Sequence, residues 1–211
     1  MDREEKLGNV LMHWAKEGSF RFYKPEDNYY CVTNGYVMYR FGPGQAWDIR
    51  EKFNSYKSTR NMPKLEEIED SDKDLFTYDK SRDEWDIEEG AENYHPDLLL
   101  PNIKLNVNLH ASTGFDGAYL QPTKYMVDYG PGDDELGRIL IARDVDGHPA
   151  WVSVVKEEFW DLPGDVSLVR QARPDGPLVV MEGDEWYMIV MIVSADNQIR
   201  EISNIMEEVS Y

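Results

Sequence analysis

Cysteine occurs once in this chain, at Cys31, so no intramolecular disulfide can form and the fold has to rest on its hydrophobic core. With 211 residues, 41% of them hydrophobic, that core is large enough without staples. Long apolar runs are missing as well. The longest, Trp186 to Val193, is eight residues, against the roughly 20 needed to cross a bilayer. The opening MDREEKLGNV lacks the apolar stretch of a secretory leader. The expectation is a cytoplasmic protein with no membrane segment.

Basic residues are scarce: 22 Lys and Arg stand against 41 Asp and Glu, a net charge of −19. That balance opposes a broad, sequence-independent grip on nucleic acid, which needs clustered cations. Weak or no duplex DNA binding by the chain alone follows. The four histidines, His13, His95, His110 and His148, have neither the i, i+4 spacing nor the flanking Glu of a helical zinc site. Asp144-Val145-Asp146-Gly147-His148 resembles the start of a calcium loop but lacks the later ligand positions, and reads as a turn. Gly42-Pro43-Gly44 and Gly130-Pro131-Gly132 are too short and too poor in Lys to cradle a phosphate. Cys31 has no basic neighbour or helix N-terminus to hold a thiolate. No metal, cofactor or catalytic residue is expected, and the chain reads as a non-enzyme.

What is present is mostly strand. Asp2 to Glu17 sets Leu7, Val10, Leu11, Trp14 and Ala15 at helical spacing, with Gly18 as the stop. Strands are expected at Phe20 to Tyr23 and Tyr29 to Thr33, and Asn34-Gly35 turns the chain into a strand ending at Phe41. After the breaker Gly42-Pro43-Gly44 a short helix fits Ala46 to Tyr56. Ile103 to His110 alternates apolar and polar residues as a half-buried strand does. Further strands fit Ala118–Asp128, Arg138–Asp144, Ala150–Val155, Val166–Gln171, Pro177–Glu182 and Trp186–Val193, with a short helix at Lys156–Leu162. Trp186–Val193 is apolar on both faces and should be covered on both. The tail Ser194–Tyr211 returns to helical spacing through Ile199, Ile202, Ile205, Met206 and Val209. No short fixed repeat is visible.

Between Glu66 and Glu92 lie 13 carboxylates and only Lys73, Lys80 and Arg82, a net of −10 in 27 residues. Burying such a segment would desolvate many charges, so it reads as irregular and peripheral. The expected division is residues 1–62 (a helix and hairpin region), 63–100 (an acidic linker or insertion) and 101–211 (a β-rich domain with a helical tail).

Lys156-Glu157-Glu158-Phe159-Trp160-Asp161-Leu162, the strands that follow it, and the closing Tyr187-Met188-Ile189-Val190-Met191 resemble the last domain of bacterial and phage DNA sliding clamps. Cys31-Val32-Thr33-Asn34-Gly35-Tyr36-Val37-Met38-Tyr39-Arg40 is similar to that family's strand-turn-strand with a following helix, and Asp116-Gly117-Ala118-Tyr119-Leu120 is a further echo. The resemblance implies an α+β, mostly antiparallel fold of clamp-like sheets with short helices and a helix at each end. It also implies a homo-oligomer, with three chains completing a six-domain ring. Arg50, Lys52, Lys57 and Arg60 would then face duplex DNA as phosphate contacts. The pattern is departed from where Lys156 is followed by Glu157, Glu158 and Asp161 instead of bore-lining cations, and in the acidic stretch and the added tail.

Two functions follow. One is a non-enzymatic phage or mobile-element protein of clamp-like fold, acting in DNA replication or as an adaptor. The other is an acidic, DNA-mimicking inhibitor that occupies a host DNA-binding or defence protein. Either implies a protein partner, with Ile199, Ile202, Met206, Glu66, Glu67, Glu69, Asp70 and Asp72 as the partner-binding candidates.

Overall fold

The computed structural model describes residues 3–26, 28–56, 60–69, 74–90, 118–128, 136–143, 149–156, 168–171, 177–182 and 185–192. The chain divides into two units, Met1–Leu99 and Leu100–Tyr211. Its described part is α+β, with antiparallel strands predominating. The strand expected at Ile103 to His110, the helix at Lys156–Leu162 beyond Lys156, and the helical tail lie outside the described residues.

The first unit begins with α1, Arg3–Glu17. Leu7, Val10, Leu11, Trp14 and Ala15 are buried, as their spacing requires, and Met12 joins them. Gly18 closes the helix by donating its N–H to the Trp14 carbonyl at 2.8 Å. Three strands follow: β1 Phe20–Glu26, β2 Tyr29–Thr33 and β3 Val37–Phe41. The β2–β3 turn works as its Asn-Gly signature demands. Asn34 Oδ1 accepts from the N–H groups of Tyr36 and Val37 at 3.0 and 2.9 Å, and Gly35 sits at φ +91°, a conformation side chains resist.

Helix α2 spans Pro43–Asn54, so the breaker reading of Gly42-Pro43-Gly44 is corrected. Proline at the first helical position loses no intrahelical bond, because that N–H is unpaired in any helix, and its fixed φ suits the helix. Gly42 is the N-cap, and its N–H donates to Gln45 Oε1 at 3.1 Å. Ala46, Ile49 and Phe53 form the buried stripe of α2, which packs against α1.

The acidic stretch is also corrected. It contains a short helix α3, Leu65–Glu69, and a hairpin of β4, Asp74–Asp79, and β5, Glu84–Glu89. Strand β4 pairs with β1 through Phe20↔Tyr78 and Phe22↔Phe76, giving the order β5-β4-β1-β2-β3. Leu75, Phe76 and Tyr78 are at most 2% exposed. The expectation failed because it treated the carboxylates and aromatics of this segment as one environment. A period of two largely separates them, placing Phe76, Tyr78, Trp85 and Ile87 on one face and Asp79, Glu84, Asp86 and Glu88 on the other, with the buried Leu75 as the apolar residue on the carboxylate side. The desolvation that seemed to forbid the structure is therefore avoided.

Phe20 is the centre of this unit's core. Its ring lies 5.3 Å from Trp85, 5.6 Å from Tyr78, 5.8 Å from Phe53 and 6.3 Å from Trp14, centroid to centroid. Residues from α1, α2, β1, β4 and β5 thus meet around one ring. Aromatic pairs of this kind add roughly 0.5–1.5 kcal/mol each beyond the area they bury.

In the second unit the strands are β6 Ala118–Asp128, β7 Leu136–Arg143, β8 Pro149–Lys156, β9 Leu168–Gln171, β10 Leu178–Glu182 and β11 Glu185–Val190. Their order is β11-β10-β9-β6-β7-β8, each pair antiparallel. Ile139 and Val154 pair across β7 and β8 with Tyr125 and Val152 against them. On β11 the successive residues Met188, Ile189 and Val190 are all buried, so both faces are covered over that stretch; the strand ends at Val190, short of the expected Val193, and Met191 is 40% exposed.

Candidate acidic interaction surface

The hairpin that joins the acidic strands to the core is held by its own charges. At the β4–β5 turn Asp79 Oδ1 accepts from the Ser81 N–H at 2.8 Å and from Ser81 Oγ at 2.7 Å. Arg82 Nε donates to Asp79 Oδ2 at 2.9 Å, and its other arm pairs with Asp86. These donors, the Ser81 hydroxyl first and Arg82 next, hold the Asp79 carboxyl down at about 2. Asp79 is thus a fixed anion at neutral pH, and Arg82, pushed upward by the same contacts, is a fixed cation.

A second set of bonds ties the turn to the rest of the unit. Asp83, at φ +52°, directs Oδ1 at two donors, the Tyr78 hydroxyl at 2.7 Å and the Arg60 N–H at 3.1 Å. Trp85 Nε1 donates to the Arg60 carbonyl at 3.2 Å. The hairpin therefore grips both backbone groups of Arg60. Burial raises the Tyr78 hydroxyl to about 12, with the bond to Asp83 and the Asp83 and Asp79 charges adding to it.

Beyond the turn, Glu84, Asp86 and Glu88 project from one side of β5. Two-residue steps along an extended strand set them about 7 Å apart. Glu84 and Glu88 are exposed and Asp86 is half-exposed. Asp79, across from Glu84 on β4, extends the row, and Arg82 neutralises part of it. On the opposite side of the strand Ile87 is 52% exposed. The result is a charged strand lying over aromatic residues.

The basic candidates are placed differently from one another. Arg50 is 17% exposed, with Nε donating to the Pro63 carbonyl at 2.6 Å and one terminal nitrogen 2.9 Å from Glu51 Oε1. Lys52 lays its aliphatic stem over Gly8 of α1, where a Cβ would come within 2.4 Å of Lys52 Cγ. Arg60 has an exposed side chain and the gripped backbone just described. Lys57 lies outside the described residues. Of the acidic candidates, Glu66 and Glu67 are exposed on α3 and the backbone of Glu69 ends that helix, whereas Asp70 and Asp72 lie outside the described residues. Ile199, Ile202 and Met206 lie outside them as well. Glu84, Asp86 and Glu88 were not singled out from sequence. Their signal is the alternation Glu84-Trp85-Asp86-Ile87-Glu88, which the charge density of the stretch masks.

Among the described residues no group of three or more His, Cys, Asp or Glu is gathered as for a metal ion. His13 lies 3.2 Å from Glu17, one turn along α1. No helix among the described residues is long and apolar enough to cross a membrane. Comparison with family models, with curated proteins and with solved structures returns no match to this chain.

Proposed function

We propose that the protein acts without catalysis, as an acidic inhibitor that docks the β4–β5 hairpin against the basic surface of a nucleic-acid-binding protein. The carrying observation is the regular row of Glu84, Asp86 and Glu88, mounted on a strand that is anchored in the core through Trp85 and Tyr78. A polyanion held on a rigid sheet presents evenly spaced charge with little ordering to lose on docking.

The test is capture followed by displacement. Wild-type protein and a Glu84→Gln, Asp86→Asn, Glu88→Gln triple variant are used to capture partners from host lysate, and the captured protein is then bound to labelled duplex DNA. Wild-type protein should release that DNA in a salt-dependent manner and the variant should fail. Equal release by both would refute the reading.

A second reading, the clamp-like replication adaptor, is favoured by α1 and α2 lying side by side in contact. It requires duplex binding by the chain itself. Submicromolar anisotropy signals on circular duplex, lost in a Lys52→Glu, Arg60→Glu variant, would put this reading first.

A further inference from the structure

Among the described residues, strand β5 stands at the outer end of the first unit's strand order, paired to β4 through six consecutive residue pairs without a bulge. Edge strands are normally guarded by lysine, proline, a bulge or extreme shortness, since their outward N–H and C=O groups otherwise recruit another chain. Glu84-Trp85-Asp86-Ile87-Glu88-Glu89 contains no lysine, proline or bulge. Among the described residues its guard is negative charge, with Glu84, Glu88 and Glu89 exposed beside an exposed Ile87.

Negative charge is a selective guard. Two copies of β5 brought together would oppose four carboxylates on each strand across one ladder, where like charges are destabilising. A second copy of this chain is therefore a poor occupant, and nucleic acid is excluded on the same ground. An extended segment carrying Lys or Arg at alternate positions has the complementary character. It would complete β5's outward backbone bonds, set its cations beside Glu84, Asp86 and Glu88, and lay an apolar residue against Ile87. We infer that β5 accepts a basic, extended arm of the partner as an added antiparallel or parallel strand. The inference rests on the proposed inhibitor reading and specifies which element of the partner is held: an arm of the kind that basic proteins extend along phosphates.

The probe is a short fluorescein-labelled peptide alternating arginine with valine and threonine. Two versions are N-methylated on the backbone, one at the arginines and one at the residues between them, leaving charge untouched. Strand addition predicts that one methylated version loses at least about tenfold in affinity and the other does not, because only alternate N–H groups face β5. A Glu84→Gln, Glu88→Gln variant, altered only at exposed positions, should also weaken the parent peptide about tenfold or more, and hydrogen exchange should slow at β5 amides when peptide is bound. If both methylated peptides bind like the parent, strand addition is overturned while the inhibitor reading stands. If the parent peptide does not bind, the inference is likewise overturned, and the displacement assay decides the inhibitor reading independently.

Discussion

Asp83 offers the most direct test of how the acidic hairpin is fixed. Its carboxylate accepts from the Tyr78 hydroxyl and the Arg60 N–H, and its backbone sits at φ +52°. Bonds to a charged group contribute roughly 1.5–3 kcal/mol, and exposure of Asp83 places the pair near the lower end. A left-handed backbone adds about 1 kcal/mol of strain for alanine that glycine escapes and asparagine largely tolerates. Asp83→Ala should therefore lose about 2.5 kcal/mol, Asp83→Gly about 1.5 and Asp83→Asn less than about 1. Near-UV circular dichroism during urea denaturation is the assay, since the Phe20 aromatic cluster supplies the signal. With a urea dependence of about 2 kcal/mol per molar, the alanine midpoint should fall by roughly 1 M. A double-mutant cycle with Tyr78→Phe should return most of the hydroxyl's share as coupling. Alanine and glycine variants that match each other and lie within about 0.5 kcal/mol of wild type would refute both the bond and the strain.

Two further outcomes are expected. Because the Tyr78 hydroxyl is raised from 10.0 to about 12, its neutral form is favoured by the fold. The stability it contributes is complete below pH 10 and lost as pH climbs toward 12, so Tyr78→Phe should flatten the alkaline limb of a stability profile. Gly8→Ala should fail to gain the roughly 1 kcal/mol that helix propensity promises, because its Cβ would meet Lys52 Cγ at 2.4 Å. Combining it with Lys52→Ala, which removes Cγ and leaves Lys52 Cβ at 3.0 Å, should recover part of that gain in thermal denaturation, and a stabilised single variant would show that the contact yields freely.

Elements whose sidedness is uniform along the chain were legible in the sequence. The stripe from Leu7 to Ala15 and the Asn34-Gly35 turn are dictated by a few neighbouring residues, and the structure reproduces them. Among the second unit's strands, β6 to β11 were all visible as largely apolar runs between turn residues, with ends shifted by a few residues. The β4–β5 hairpin is hidden in the sequence because its apolar residues number only five amid carboxylates, and the face shared by four of them, Phe76, Tyr78, Trp85 and Ile87, emerges only when position is counted in twos. Arg50 illustrates a different limit. Its mild positive surroundings suggested a phosphate contact, but the carbonyl that holds it belongs to Pro63, thirteen residues away, and no local pattern announces such a partner. Nor does any spacing rule connect Asp83 to Arg60, since that bond exists only once α2 and the hairpin are in place.

The position of β1 between β2 and β4 also sets an order of events as the chain folds. Strands β1, β2 and β3 are neighbours in sequence and can pair at once, whereas β4 must return across α2 and α3 before it finds Phe20 and Phe22. Such non-local pairing is slow relative to hairpin closure. Until it happens, one edge of an aromatic-rich strand remains open, and open edges of that kind draw chains together. The carboxylates of the β4–β5 segment oppose such association in the refolding chain, because like charges on two unfolded chains repel at low salt. Salt should oppose itself in refolding, hastening the docking of β4 by screening repulsion within the chain while weakening the repulsion between chains.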